Sequence, residues 1–203
     1  MSTGDQTLLV ATTNPGKLGE ITAILAGVPL ELLTLRDVAQ VPEPEETGTT
    51  FAENARLKAR YYSQATGLLS VADDSGLEIE ALDNAPGVHS ARWHGSDYAV
   101  KFRVIQELLQ SRGASSSPAR FVCHLAVARR DDILFEAEGT VEGVIAAGPR
   151  GENGFGYDPI FFYPPLGRTL AELGSIEKSA VSHRGKAFKA LRDHLLTHPA
   201  LIG

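Results

Sequence analysis

Leu8-Leu9-Val10-Ala11 is an unbroken apolar run separated by only two threonines from Asn14-Pro15. A run of that kind suits a strand buried on both faces, as in a sheet covered by helices. Asn14 is a good helix N-cap, because its side-chain oxygen accepts amides that the first turn leaves unpaired. Pro15 suits the first helical position, where a missing N–H is no loss. Leu18, Ile21 and Leu25 then recur at helical spacing until Gly27, and Leu30 to Leu35 read as a second strand.

The same alternation continues. Pro42-Glu43-Pro44-Glu45-Glu46-Thr47-Gly48 is a loop by its prolines and glycine, and Thr50-Phe51-Ala52-Glu53 has capping-box spacing for a helix ending near Gly67. A strand over Leu68–Ala72, an Asp-Asp turn and the alternating Leu77 to Leu82 follow. Ser96 can cap a helix carrying Val100, Val104, Ile105 and Leu108 on its apolar face. Strands near 120–129 and 133–146 form a hairpin around Arg130-Asp131-Asp132, and Ser182 caps a last helix with Phe188, Leu191 and Leu195 toward the core. This order predicts an α/β protein with a mixed sheet and flanking helices.

At 203 residues, 43% hydrophobic and 22% charged, the chain fits one domain, or one domain of two lobes. A net charge of −6 argues against coating nucleic acid, whose phosphates would be repelled. It leaves room for one anionic small molecule held by local cations. The single cysteine, Cys123, sits in an alternating apolar strand and reads as a buried core thiol. No segment has signal-peptide character or membrane-spanning length, so a cytoplasmic protein with no membrane partner is expected.

The chemistry concentrates in five stretches. Asp73-Asp74-Ser75-Gly76 puts two carboxylates side by side, an arrangement that raises the pKa of each unless a cation intervenes; an exposed turn is the plainer alternative. The first strand-to-helix turn, with Lys17, can cradle phosphate on helix N-terminal amides, or simply be a well-capped helix. It is not a Walker A loop, since Gly-x-x-x-x-Gly-Lys-Ser/Thr is absent. Glu46 lies ahead of a helix bearing Asn54 and Lys58 on one face, and with Asp74 it would meet the demand of magnesium for one or two carboxylates. Gly154-Phe155-Gly156-Tyr157-Asp158 interleaves glycines with aromatics, which can either stack on a base or fold back into a core. His183-Arg184 stands at a helix start where donors can meet an acceptor-rich ligand. The histidines show no metal-ligand spacing, and Ser75 lacks the partners of a serine nucleophile.

Six segments in order resemble the inosine triphosphate pyrophosphatases of bacterial type: Ala11–Lys17, Thr50–Ala55, Ala72–Leu77, Pro86–Arg92, Gly154–Phe161, and Glu177-Lys178 with Ser182-His183-Arg184. The resemblance covers the chain from about Leu8 to Leu196. It implies one ITPase-like domain over residues 1–203, with an elongated mixed sheet and two lobes around a central nucleotide cleft, residues 1–7 being a flexible N-terminal extension. It further implies a homodimer, Mg²⁺ as cofactor, and hydrolysis of ITP, dITP or XTP to monophosphate and pyrophosphate. A related house-cleaning pyrophosphatase for other modified nucleotides and a non-catalytic nucleotide sensor are the alternatives.

Carried over residue by residue, Asp74 is implied as the general base and as a metal-site residue, with Glu46 as the second acidic metal position. Lys58 would neutralise phosphate charge. Thr12, Thr13, Asn14, Gly16 and Lys17 would hold the triphosphate, and Ser75 would contact substrate beside the base. Phe155 would stack on the purine, with Gly156, Tyr157, Asp158, Lys178, His183 and Arg184 completing its pocket.

Overall fold

The computed structural model describes residues 7–198. Of the expected N-terminal extension, residues 1–6 lie outside the described residues, while Thr7 already opens the first strand. In chain order the elements are β1 (Thr7–Val10), α1 (Pro15–Ile24), β2 (Glu31–Thr34), α2 (Phe51–Thr66), β3 (Leu69–Ile79) and α3 (Tyr98–Ser111). They continue with β4 (Pro118–Arg129), β5 (Asp132–Ile145), β6 (Phe161–Tyr163), β7 (Arg168–Thr169), α4 (Ser175–Val181) and α5 (His183–Thr197). One sheet runs β2-β1-β3-β4-β5-β6-β7. β1 is parallel to β2 and β3, whereas β6 is antiparallel to β5 and β7, so the sheet is mixed as expected.

The chain divides into two compact units. The first comprises residues 1–74, 123–139 and 184–203, the second residues 75–122 and 140–183.

In the first unit, strand alternation sorts the apolar side chains onto two faces. Leu8, Val10, Val71, Cys123, Leu125 and Val127 form one core with Ile21 and Leu25 near α1 and Phe188, Leu191 and Leu195 of α5. Leu9, Ala11, Ala72, Ala126 and Ala128 form the other, against Ala55, Ala59 and Tyr62 of α2. Alanines on both sides of that second interface let α2 lie close to the sheet. α2 itself starts on a complete capping box, Thr50 with Glu53, and ends on Gly67 at φ 74°, a left-handed conformation that glycine adopts without strain.

The second unit has its own core. Leu77 and Ile79 of β3, Ile105 and Leu109 of α3, Phe121 of β4 and Val141 and Ile145 of β5 close around Ile160, Phe161, Leu170 and Leu173. α3 is capped by Asp97 rather than Ser96: the Asp97 carboxylate accepts the Ala99 amide at 2.8 Å. The short α4 just before the last helix had no apolar stripe to announce it.

One difference from the sequence reading matters for the chemistry. Asp73-Asp74-Ser75-Gly76 is not a turn; β3 runs through it without a break for 11 residues.

Candidate active site

Because β3 stays extended, adjacent side chains project to opposite faces. Asp73 continues the face of Val71, toward α1 and α5; Asp74 continues the face of Ala72, toward α2. The two carboxylates that seemed too costly to place together are thereby separated, and each acquires its own cations.

Asp73 is 4% exposed. Its Oδ2 meets the Lys17 ammonium at 3.0 Å and the Arg184 guanidinium at 3.5 Å, and accepts the Cys123 thiol at 3.7 Å. Burial alone would raise the carboxyl pKa, but Lys17 and Arg184 outweigh it and hold the group well below the usual carboxylate range. The other guanidinium nitrogen of Arg184 donates to Glu20 at 2.7 Å. Burial and the neighbouring carboxylate together push the Cys123 thiol well up, so it is a core thiol as expected.

Asp74 faces two polar residues of α2. Asn54 and Lys58 lie one turn apart on its buried stripe, among Phe51, Ala55, Ala59 and Tyr62. Asn54 donates through Nδ2 to Asp74 Oδ2 at 3.1 Å, and its carbonyl oxygen accepts the Gly48 amide at 2.8 Å. The Lys58 ammonium sits 2.6 Å from Glu46 Oε1 and 3.3 Å from Asp74 Oδ1. Burial works against the lysine charge, yet Asp74, Asp73 and Glu46 together keep its pKa above the ordinary value. Asp74 itself is pushed upward by burial; Lys58 opposes this but is held closer to Glu46. Asp74 is thus a buried carboxylate with a raised pKa that shares one ammonium with Glu46.

The β1–α1 turn lies in the same unit. Asn14 caps α1 by accepting the amides of Gly16 at 2.9 Å and Lys17 at 3.1 Å, and Thr12 Oγ1 accepts the Asn14 amide at 3.2 Å. The Thr13 hydroxyl donates to Glu43 at 3.5 Å. Both the well-capped helix and the cationic first turn of the sequence reading are present, with Lys17 directed to Asp73.

The second unit carries the remaining candidates. Asp158 is 2% exposed; it accepts the Phe155 amide at 2.8 Å and pairs with the Lys178 ammonium at 2.5 Å. Lys178 also lies over the Phe155 ring, 4.7 Å from its centroid. Gly154, at φ 73°, makes room for this cluster: a Cβ there would overlap Asp158 Oδ2. Gly156 is left-handed too, against Tyr98. Tyr157 is buried and donates its hydroxyl to the Ser90 carbonyl at 2.8 Å, so of the two aromatics one folds into the core while Phe155 stays half-exposed. His183, 5% exposed, stacks face to face on Phe121 with centroids 4.7 Å apart. Ser75 is partly exposed in β3.

The expected groups thus fall into two sets. Lys17, Asp73, Asp74, Lys58, Glu46 and Arg184 are connected within the first unit; Phe155, Asp158 and Lys178 form one cluster within the second. Arg184, read from sequence with the base pocket, is bonded to Glu20 and Asp73. Glu20 and Phe121 were not anticipated. Glu20 could have been found, since it stands three residues from Lys17 and so shares its helix face.

A family model described as the Ham1 family matches residues 8–194. The chain belongs to the Ham1 family. The dITP/XTP pyrophosphatase of Geobacter sulfurreducens is 48% identical over 93% of this chain and 96% of its own length. A solved HAM1 protein from Coxiella burnetii superposes with a TM-score of 0.87 at 41% identity, covering 94% of this chain and 98% of that one. A second solved structure, the dITP/XTP pyrophosphatase of Mycobacterium abscessus, gives a TM-score of 0.70 at 44% identity over 91% of this chain and 98% of its own.

Proposed function

We propose that the chain hydrolyses deaminated purine nucleoside triphosphates (ITP, dITP and XTP) to the monophosphate and pyrophosphate, and so removes them before a polymerase can use them. The observation that carries this reading is Asp74: a buried carboxylate with a raised pKa, held by Asn54 and Lys58, in a chain whose relatives are named dITP/XTP pyrophosphatases. A general base works best when its pKa lies nearer the operating pH, which is the direction in which burial moves Asp74.

In this reading Asp74 takes the proton of the attacking water, and Asn54 keeps the accepting carboxylate in one orientation. Lys58 supplies positive charge to the phosphoryl oxygens, where anhydride cleavage concentrates negative charge. The β1–α1 turn and Lys17 attract the triphosphate, with Arg184 and Glu20 holding Asp73 in register.

Magnesium fits the donor set. Glu46 and Asp74 offer hard carboxylate oxygens on the same Lys58 ammonium, at 2.6 and 3.3 Å, which brings the two acidic groups to one place. Magnesium takes one or two protein carboxylates and completes its shell with water and phosphate, a demand that Glu46 and Asp74 would meet. Mg²⁺ held by Glu46 and Asp74 would neutralise triphosphate oxygens.

Base recognition is assigned to Phe155, Lys178 and His183. The half-buried Phe155 ring, with Lys178 beside it, is the aromatic surface on which a purine would stack. Hypoxanthine and xanthine carry an acceptor oxygen at C6 where adenine carries a donor amine, so donors from His183 and Lys178 favour the former and leave adenine unmatched, whereas guanine shares that oxygen and is refused at its 2-amino group. We further propose a homodimer working in the cytoplasm; no helix among the described residues is long and apolar enough to cross a membrane.

The deciding experiment is product analysis with ITP, and with ATP and GTP in parallel, with and without Mg²⁺. Magnesium-dependent IMP and pyrophosphate, with ATP and GTP nearly untouched, is the expected result. Orthophosphate as product, or tight ITP binding without turnover, would replace the reading by a phosphatase or a sensor.

A further inference from the structure

The apolar stripe of α3 contains an ion. Its fully buried positions are Lys101, Ile105 and Leu109, four residues apart, and Lys101 has no measurable exposure. Burial pulls the ammonium pKa down. A buried charge is expensive unless its surroundings compensate it. Here the compensation is two carbonyls and two rings. Nζ donates to the Ser90 carbonyl at 3.0 Å and the Ala91 carbonyl at 2.8 Å, and lies 4.4 Å from the Tyr98 ring centroid and 5.5 Å from that of Tyr157. Of these groups only Tyr157 was given a chemical role above, in the purine pocket; Lys101, Ser90, Ala91 and Tyr98 were given none.

The Ser90 carbonyl is the hub. It accepts from Lys101 and also, at 2.8 Å, from the Tyr157 hydroxyl. Tyr157 lies between Gly156, which packs on Tyr98, and Asp158, which anchors the Phe155 amide and Lys178. An apolar side chain at position 101 would fill the stripe equally well. What it could not do is fix the direction of the Ser90 and Ala91 carbonyls and, through the shared acceptor, the Tyr157 ring.

We propose that Lys101 is a positioning residue for base recognition: its ammonium locks the Ser90–Ala91 backbone and through it the Phe155–Asp158 loop. This rests on the reading of that loop as the base-binding element. Lys101 touches neither substrate nor reacting atoms in this scheme.

The test compares wild type, Lys101→Met, Tyr157→Phe and the double variant, with Lys101→Gln as a substitution that retains an N–H donor. Each is assayed for kcat and KM on ITP and for inhibition by inorganic tripolyphosphate, which has no base. Loss of one charge-assisted hydrogen bond that orders the loop predicts a KM for ITP raised about tenfold in Lys101→Met, with kcat changed less than about threefold. Tripolyphosphate inhibition stays at the wild-type level, and Lys101→Gln falls between. Because Lys101 and Tyr157 act on one carbonyl, the double variant loses less than the product of the two single effects. Trp93, the sole tryptophan and packed in the same core, reports by its emission whether each variant is folded. Should Lys101→Met fail to fold, Lys101→Gln and Tyr157→Phe carry the comparison. An unchanged KM, an equal loss of tripolyphosphate affinity, or fully multiplicative effects would overturn the proposal. Absence of ITP turnover in the wild type would overturn the functional reading itself, and the proposal with it.

Discussion

Neutralising either aspartate of the β3 pair by a single-atom change should produce opposite phenotypes. Asp73→Asn removes the carboxylate that faces Lys17 and the fully buried Arg184. Breaking a buried ion pair from one side leaves an uncompensated charge and costs about 3–5 kcal/mol. Glu20 still holds Arg184 at 2.7 Å and Lys17 reaches solvent, which reduces the expected loss to roughly 2–3 kcal/mol. For a chain of this length that lowers Tm by roughly 5–10 °C. Asp74→Asn differs in sign. The folded-state pKa of Asp74 is raised, so its contribution is favourable only at acid pH and disappears as pH rises through the folded value. At neutral pH the amide therefore removes a penalty, while Lys58 keeps Glu46 and the Asn54 amide keeps an acceptor. Asp74→Asn should melt at or above the wild-type temperature, measured in EDTA at pH 7, yet lose on the order of 10²–10⁴-fold in turnover of ITP as its general base is lost. Calorimetry and product assays on the two variants settle it. Equal destabilisation by both, or retained turnover in Asp74→Asn, would refute the assignment of the two side chains to opposite faces with separate tasks.

Two further outcomes follow from the same geometry. Gly154→Ala adds a Cβ against Asp158 at a φ of 73°, whereas Gly167→Ala, at φ 63°, meets nothing within 4 Å. The second should lose only the left-handed backbone term of about 1–2 kcal/mol, and the first should lose more and also raise KM for ITP; melting curves and kinetics of the pair separate strain from clash. Cys123 should resist a thiol reagent such as dithionitrobenzoate in the native protein and react once per chain in denaturant, because burial and Asp73 both oppose the thiolate. Rapid labelling of native protein would contradict its place in the core.

What could be read from the sequence, and what could not, follows the range of the interactions involved. Asn14-Pro15, the Thr50–Glu53 capping box and Gly67 act within one helical turn, and each element they delimit stands where local chemistry puts it. Asp73-Asp74-Ser75-Gly76 is the instructive failure. Its composition is that of a turn, and local propensity has no knowledge of α1, α5 and α2 arriving on the two faces of β3 with a cation each. Those long-range partners make the extended conformation affordable, and the side-chain period of two then does the sorting. The same reasoning explains the gaps in the site. Lys58 was found because it shares a helix face with Asn54, but Arg184 could be placed only by its neighbours in three dimensions, Glu20 and Asp73, which are 164 and 111 residues away. Lys101 was hidden for the opposite reason: a helical stripe is searched for apolar residues, and a lysine in it reads as a solvated surface residue. Its partners are backbone carbonyls and rings, groups that carry no sequence signature of their own. A buried cation without a carboxylate is thus visible only once the fold is known, and its presence in an otherwise ordinary stripe is the reason to look for what its hydrogen bonds hold in place.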